Sequence, residues 1–298
     1  MKNIHKHILT GVLWLIAALP LFILYALSHV LAFFLFHILK YRRKVVETNM
    51  KRAFPEKSDA ERRRIAKKFY LNLADIIHET IKFRHLSPRK LEKHVIIRNP
   101  EILQPFFDNK QSFLIVTGHN GNWEWICKRI SIAYPDHGIV LTKPLKDKFF
   151  ENYMTGTLRL RKISGLIIPY KDAFRHLIKN RRNFTYTMIL GDQTPARGEI
   201  NFWTTFLNQE TPFFLGTEKI AKSLNMPVLF MRSYHPKQGL YEVEFEVITT
   251  EPQKTTEHEI TLSHIQMLED HIKNNPDTWL WSHKRWKHKM RSGEQLIN

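Results

Sequence analysis

The sequence predicts an α/β fold, with a mainly parallel or mixed central sheet flanked by helices and a hydrophobic N-terminal helix that reads as a membrane anchor. Three observations predict it. Short apolar runs at residues 95–98, 113–116, 138–142, 165–169, 184–190 and 226–232 are separated by helix-compatible segments, and strands joined by helical crossovers lie parallel. Residues 8–39 contain no Asp, Glu, Lys or Arg. At 298 residues, the chain is long enough for one large domain with a full core.

The charge-free stretch comes first. Its first part, 8–27, is long enough to cross a bilayer core, which takes about 20 residues. Pro20 kinks it, and Ser28-His29 interrupts it before a second run at 30–39. The apolar region is too long for a cleaved signal peptide, and no small-residue cleavage site follows it. One spanning helix and an interfacial pair lying in one leaflet both fit, and a buried pair of core helices is the reading without a membrane. Lys40, Tyr41, Arg42, Arg43 and Lys44 follow. Such a basic, aromatic-edged boundary favours a main domain on the cytoplasmic side, although Lys2 and Lys6 weaken the asymmetry.

From 45 to about 91 the pattern is helical and heavily charged. One helix ends at Phe54-Pro55, and Ser58 with Glu61 forms a capping box for the next. Ile65, Phe69, Leu73, Ile76 and Ile77 share a face of that helix, with Arg62, Arg63, Arg64, Lys67 and Lys68 elsewhere. The formal net charge of +18 and pI near 9.9 suit nucleic acid, anionic lipid headgroups or an acidic protein partner. A single cysteine, Cys127, excludes an intrachain disulfide. It reads as a small core residue. With no His-Glu-x-x-His and no clustered Cys, no metal site is expected.

The central run at 113–116 leads into Thr117-Gly118-His119-Asn120-Gly121-Asn122-Trp123-Glu124, and the helix expected over 123–132 carries Trp123, Ile126, Cys127 and Ile130 at helical spacing. A histidine thus sits in a strand-to-helix turn, with a carboxylate five residues on. A neutral imidazole there can accept a proton from a hydroxyl, and a nearby carboxylate can fix its tautomer. Backbone N–H groups at the helix start can meet a developing oxyanion. The same spacing also describes plain turn residues and an acidic residue that favours a helix N-terminus. Lys143 and Asp192-Gln193 each lie just past an apolar run, where sites form in parallel sheets. They too can be read as ordinary loop residues, and the C-terminal stretch Trp279 to Lys289 as a basic aromatic surface.

The segment His-Asn-Gly-Asn-Trp-Glu after an apolar strand resembles the His-x4-Asp/Glu motif of glycerolipid acyltransferases, most closely the late (secondary) acyltransferases of bacterial lipid A synthesis. In order along the chain, "TNMKRAFPEKS", "VLTKPLKDKFFENYMTGTLRLRKISGLIIP", "GDQTP", "FLNQETPFFLGTEKIAKSLNMPVL" and "PDTWLWSHKRWK" resemble further segments of that family. The similarity runs from about residue 45 to 289, with a matching apolar N-terminus.

The resemblance implies an anchor at 1–40 and an acyltransferase domain at 41–298, held at the inner membrane with the domain on the cytoplasmic side. It implies transfer of a fatty acyl chain from acyl carrier protein to a hydroxyl of a phosphorylated lipid A precursor, with no covalent acyl-enzyme. No cofactor is expected beyond acyl carrier protein or acyl-CoA as co-substrate. In this reading His119 is the general base and Glu124 orients it. Asn120, Gly121 and backbone amides near Asn122 hold the oxyanion. Lys143, Arg159 and Arg161 bind phosphate or the carrier, and Asp192 and Gln193 position the acceptor. A lysophospholipid or aminolipid acceptor is the nearer alternative. A non-enzymatic membrane or nucleic-acid binding protein is the distant one, and it leaves the ordered motifs unexplained.

Overall fold

The computed structural model describes residues 2–143 and 165–297. Its main sheet has seven strands: β1 (Val95–Ile97), β2 (Phe113–Thr117), β3 (Gly138–Thr142), β4 (Gly165–Pro169), β5 (Tyr186–Leu190), β8 (Val228–Lys237) and β9 (Leu240–Thr249). They lie in the order β1-β9-β8-β2-β5-β3-β4. From β8 through β4 neighbouring strands are parallel; β9 turns back antiparallel on β8, and β1 lies parallel to β9. β6 (Trp203–Phe206) and β7 (Gln209–Pro212) form a separate antiparallel hairpin.

Sequence explains the placement of the strands. All five residues of β2 are buried, as a strand covered on both faces requires. Leu114 and Val116 join one core with Phe54, Trp279 and Trp281, while Phe113 and Ile115 join the other with Trp125 and Ile130. That is the period-two alternation of a strand between two helical layers. The run expected to end at Arg232 continues to Lys237 and returns as β9. In β9 only Tyr241, Val243 and Phe245 are buried. Glu242 and Glu246 on its other face pair with Arg98 and Arg232, so a search for continuous apolar runs passes over it.

Among the described residues the α-helices are α1 (Lys2–Ala18), α2 (Leu21–Phe33), α3 (Arg43–Ala53), α4 (Asp59–Lys82), α5 (Pro88–His94), α6 (Gln104–Asp108), α7 (Trp123–Ala133), α8 (Ala173–Lys179), α9 (Gly216–Leu224) and α10 (Glu259–Asn274). α4 opens with the expected capping box of Ser58 and Glu61. Pro20 separates α1 from α2, because proline has no N–H to continue a helix. The unbroken apolar helical stretch is therefore Leu21–Ile38, ending in one π-helical turn, and not the 8–27 expected. It is long and apolar enough to cross a membrane, and only 22% of it is buried.

α2 runs antiparallel along α4. Lys82 Nζ donates to the Leu19 carbonyl, the Tyr25 hydroxyl to Glu79, and the Phe36 ring packs edge-on against Tyr70. Farther on, Phe54 closes α3 against the C-terminal segment, its ring 5.5 Å from that of Trp281 and 2% exposed. Phe54→Ala leaves a cavity between those two ends of the chain. It is expected to destabilise the fold by about 3–5 kcal/mol, read as a lowered midpoint in thermal unfolding.

Candidate active site

The register of two neighbouring strands builds the site. β2 and β5 are parallel partners with Thr117 opposite Leu190, and the Gly191 N–H extends the ladder to the Thr117 carbonyl at 2.9 Å. His119 and Asp192 each lie two residues farther on, so they leave adjacent strand ends side by side. His119 Nδ1 is 2.5 Å from Asp192 Oδ1, and the His119 backbone N–H donates to Oδ2 at 2.9 Å. The Trp279 indole N–H donates to the same Oδ2 at 2.7 Å.

Two glycines shape the turn. A Cβ at Gly118 would lie 2.6 Å from Leu268 Cδ1 and 2.8 Å from Asn120 Oδ1, so a larger residue would have to push both side chains aside. Gly121 adopts φ +57°, a region open to glycine at little cost. Its N–H is donated to the Thr278 carbonyl at 3.0 Å.

Asp192 is 3% exposed. Burial works against its charge, but the His119 ring, the His119 N–H and the Trp279 indole outweigh it and hold the carboxyl well below the usual carboxylate range. An ionised carboxylate only accepts hydrogen bonds, so the ring proton sits on Nδ1 and Nε2 presents its lone pair. The Gln193 amide nitrogen lies 3.1 Å from Nε2 and donates to it. The Trp123 ring packs edge-on against the imidazole at 4.9 Å between centroids. His119 is thus an oriented base with one nitrogen anchored inward and the other turned to a replaceable partner.

Glu124 stands differently from the expectation. The described hydrogen bonds place Asp192, and not Glu124, on His119 Nδ1. Glu124 lies in the first turn of α7 and turns toward α4, where the Thr80 hydroxyl donates to it at 3.1 Å. Its residue surface is half-buried, yet the protein crowded round the carboxyl pushes its pKa up to about 7, against the pull of Thr80 and His119.

The other predicted residues are scattered. Asn120 and Asn122 are 2% and 0% exposed. The Asn122 side chain caps α7 by accepting the Trp125 N–H and donates to Glu79. Asn120 Nδ2 reaches Thr278 Oγ1. Buried amides need partners, and Asn122 finds both of its own within the fold, whereas Asn120 Oδ1 is buried with no hydrogen-bond partner among the described residues. Lys143 is exposed just past β3. Arg159 and Arg161 lie outside the described residues. Burial pushes the Cys127 thiol up to about 12, so it stays protonated as a core residue.

The C-terminal stretch corrects the surface reading. Trp279, Trp281 and Arg285 are at most 1% exposed, and only Lys284, Lys287 and Lys289 face outward. Arg285 donates to the Pro212 carbonyl at 2.7 Å and lies 4.3 Å over the Phe213 ring. Burial lowers its pKa to about 9 and that of His264 to about 4, while Asp192 favours the charged form of both. Sequence reasoning missed Trp279 as a support of Asp192, since its neighbours make it look like surface.

The family model for bacterial lipid A biosynthesis acyltransferase matches residues 2–288. The chain belongs to this family. Over 282 residues it is 23% identical to the lipid A biosynthesis lauroyltransferase of Escherichia coli (strain K12), covering 93% of this chain and 89% of that protein. The family match takes in α1, the His119 turn and Trp279 alike. The His119–Asp192 pair therefore lies in a lipid A acyltransferase.

The two carboxyls predict opposite pH behaviour. Glu124 keeps its proton to about 7 when folded, against an ordinary value of 4.5. Its favourable contribution is therefore full below about 4.5 and is lost as pH rises through about 7. The Asp192 contribution is lost on acidification instead. Glu124→Gln is expected to flatten the fall in thermal midpoint between pH 4.5 and 7.5. An unchanged slope would mean that Glu124 is ionised throughout.

Proposed function

We propose that this lipid A acyltransferase moves a fatty acyl chain from the thioester of acyl carrier protein to a hydroxyl of a phosphorylated lipid A precursor, with His119 as general base. The pairing of His119 Nδ1 with the buried Asp192 carboxylate carries the reading. His119 Nε2 takes the hydroxyl proton as the oxygen attacks the thioester carbonyl. The tetrahedral intermediate collapses with cleavage of the C–S bond, and the proton on Nε2 passes to the departing sulfur. No covalent acyl-enzyme is needed.

Asp192 steadies the imidazolium that forms. Gln193 marks the position the acceptor hydroxyl must reach, since its amide N–H holds Nε2 meanwhile. The N-terminus of α7, with its N–H groups and dipole, lies beside the reacting carbonyl in this scheme and favours its oxyanion. Lys143, with Arg159 and Arg161, supplies cations for phosphate or for the acidic carrier, and the +18 charge suits both.

The enzyme sits on the cytoplasmic face of the inner membrane, with α2 lying in one leaflet. Antiparallel packing of α2 along α4 supports this seat. A spanning α2 would draw Asp75, His78 and Glu79 of α4 into the hydrocarbon, where charged and polar groups are expensive. Phe22 at 72%, Phe33 at 55% and Leu39 at 67% exposure would meet lipid, with Lys40 and Lys44 at the edge for anionic headgroups.

Two measurements test this. Lipid A from a deletion strain complemented with wild type is expected to regain one acyl chain by mass spectrometry, whereas His119→Ala restores none. In purified enzyme Asp192→Asn is expected to lower kcat by about 10²–10⁴-fold through loss of the tautomer; wild-type turnover in His119→Ala would sink the mechanism. For topology, Lys2→Cys and Lys44→Cys are both expected to react with an impermeant maleimide only after the inner membrane is opened. Labelling of Lys2→Cys from the periplasm would instead mean a spanning helix.

A further inference from the structure

Glu79 is a buried carboxylate to which the acyl-transfer chemistry assigns no step. It lies on α4 with 0% exposure, and among the described residues no ion pair reaches it. Three parts of the chain converge on it instead. Tyr25 of α2 donates its hydroxyl to Oε1 at 3.0 Å. Tyr241 of β9 and Asn122 at the start of α7 donate to Oε2 at 2.7 and 2.8 Å. The Glu79 carbonyl also accepts the Trp125 indole N–H at 3.1 Å. Burial pushes the carboxyl up to about 7 despite these bonds.

Two of these donors have a second attachment. The Asn122 amide that donates to Glu79 is the same one whose oxygen caps α7, so it sets how the chain leaves the His119 turn. The next residue of α4, Thr80, holds Glu124. Tyr25 is wedged against the β8–β9 turn, where a Cβ at Gly239 would lie 2.8 Å from its Cζ. One side chain therefore ties the apolar helix, the hairpin and the catalytic turn together. An unpaired buried donor costs about 1–3 kcal/mol, so the three donors stay converged only while the carboxylate is there.

We propose that Glu79 is a positioning residue that couples the seating of α2 on α4 to the geometry of the His119 turn. The apolar N-terminal segment is then part of the catalytic scaffold as well as a membrane attachment. The effect on turnover rests on the acyl-transfer reading above; the coupling itself does not. Displacing reacting groups by about 1 Å costs on the order of 10²-fold.

The test uses full-length enzyme in detergent, with Tyr25→Phe, Glu79→Leu, Glu79→Gln and the double variant Tyr25→Phe/Glu79→Leu. Tyr25→Phe removes one oxygen from the anchor helix, far along the chain from His119. It is expected to lower kcat by roughly threefold to tenfold and to leave the KM for acyl donor within about twofold. Glu79→Leu is expected to lower kcat by about 10²-fold, and Glu79→Gln, which keeps an acceptor, to recover most of it. In the Glu79→Leu background Tyr25→Phe should add nothing.

Hydrogen exchange supplies a readout without turnover: in Tyr25→Phe the amides of residues 118–126 should exchange faster while those of β3 do not. Unchanged kcat and unchanged exchange in Tyr25→Phe would overturn the proposal, as would additive losses in the double variant. Should Glu79→Leu fail to fold, Tyr25→Phe and Glu79→Gln decide. A wild type that transfers no acyl chain would sink the acyl-transfer reading, and exchange would still decide the coupling.

Discussion

The hydrogen bond between His119 Nδ1 and Asp192 is the constraint on which the rest of the site depends. A carboxylate with 3% exposure is costly to keep charged. Three N–H groups stabilise the charge here, those of the ring, the His119 backbone and the Trp279 indole. Two of the three come from the residue the carboxylate serves. Ring orientation and carboxylate ionisation therefore support each other, and neither survives alone. The third comes from the far end of the chain, which explains why a C-terminal tryptophan is buried beside the centre of the sheet.

The surroundings of that carboxylate are arranged to keep its charge undisturbed at the strand ends. Burial lowers His264 and His283 to about 4, so both are neutral at pH 7. Arg285 is a buried cation of the region, tied to a carbonyl and an aromatic face instead of to a carboxylate. It favours ionised Asp192 from a distance without competing for the oxygens that His119 and Trp279 occupy. An arginine in direct contact would displace the imidazole and remove the base.

Much of the architecture was legible in the sequence. The runs at 138–142 and 165–169 are β3 and β4, and the Ser58–Glu61 box starts α4, because local pattern and local capping decide such elements. The partner of His119 was not legible in that way. Chain order suggests that β2 and β3 lie side by side, whereas β5 inserts between them. Only that order, with Thr117 opposite Leu190, brings Asp192 to Nδ1. Burial of Trp279, Trp281 and Arg285 was hidden for a similar reason. The lysines at 284, 287 and 289 give the stretch a surface composition, while the fold buries Trp279, Trp281 and Arg285 beside them.

The separation of roles between Glu124 and Asp192 follows from their environments more than from their spacing to His119. Environment assigns paired carboxyls different states in one site. Asp192 has three N–H donors and stays ionised. Glu124 has one hydroxyl donor and a pKa near 7, so it exists in both forms at neutral pH. The charge of protonated His119 favours ionised Glu124. The His-x4-Glu spacing places Glu124 in the first turn of α7, while the hydrogen bond that orients the His119 ring comes from the neighbouring strand.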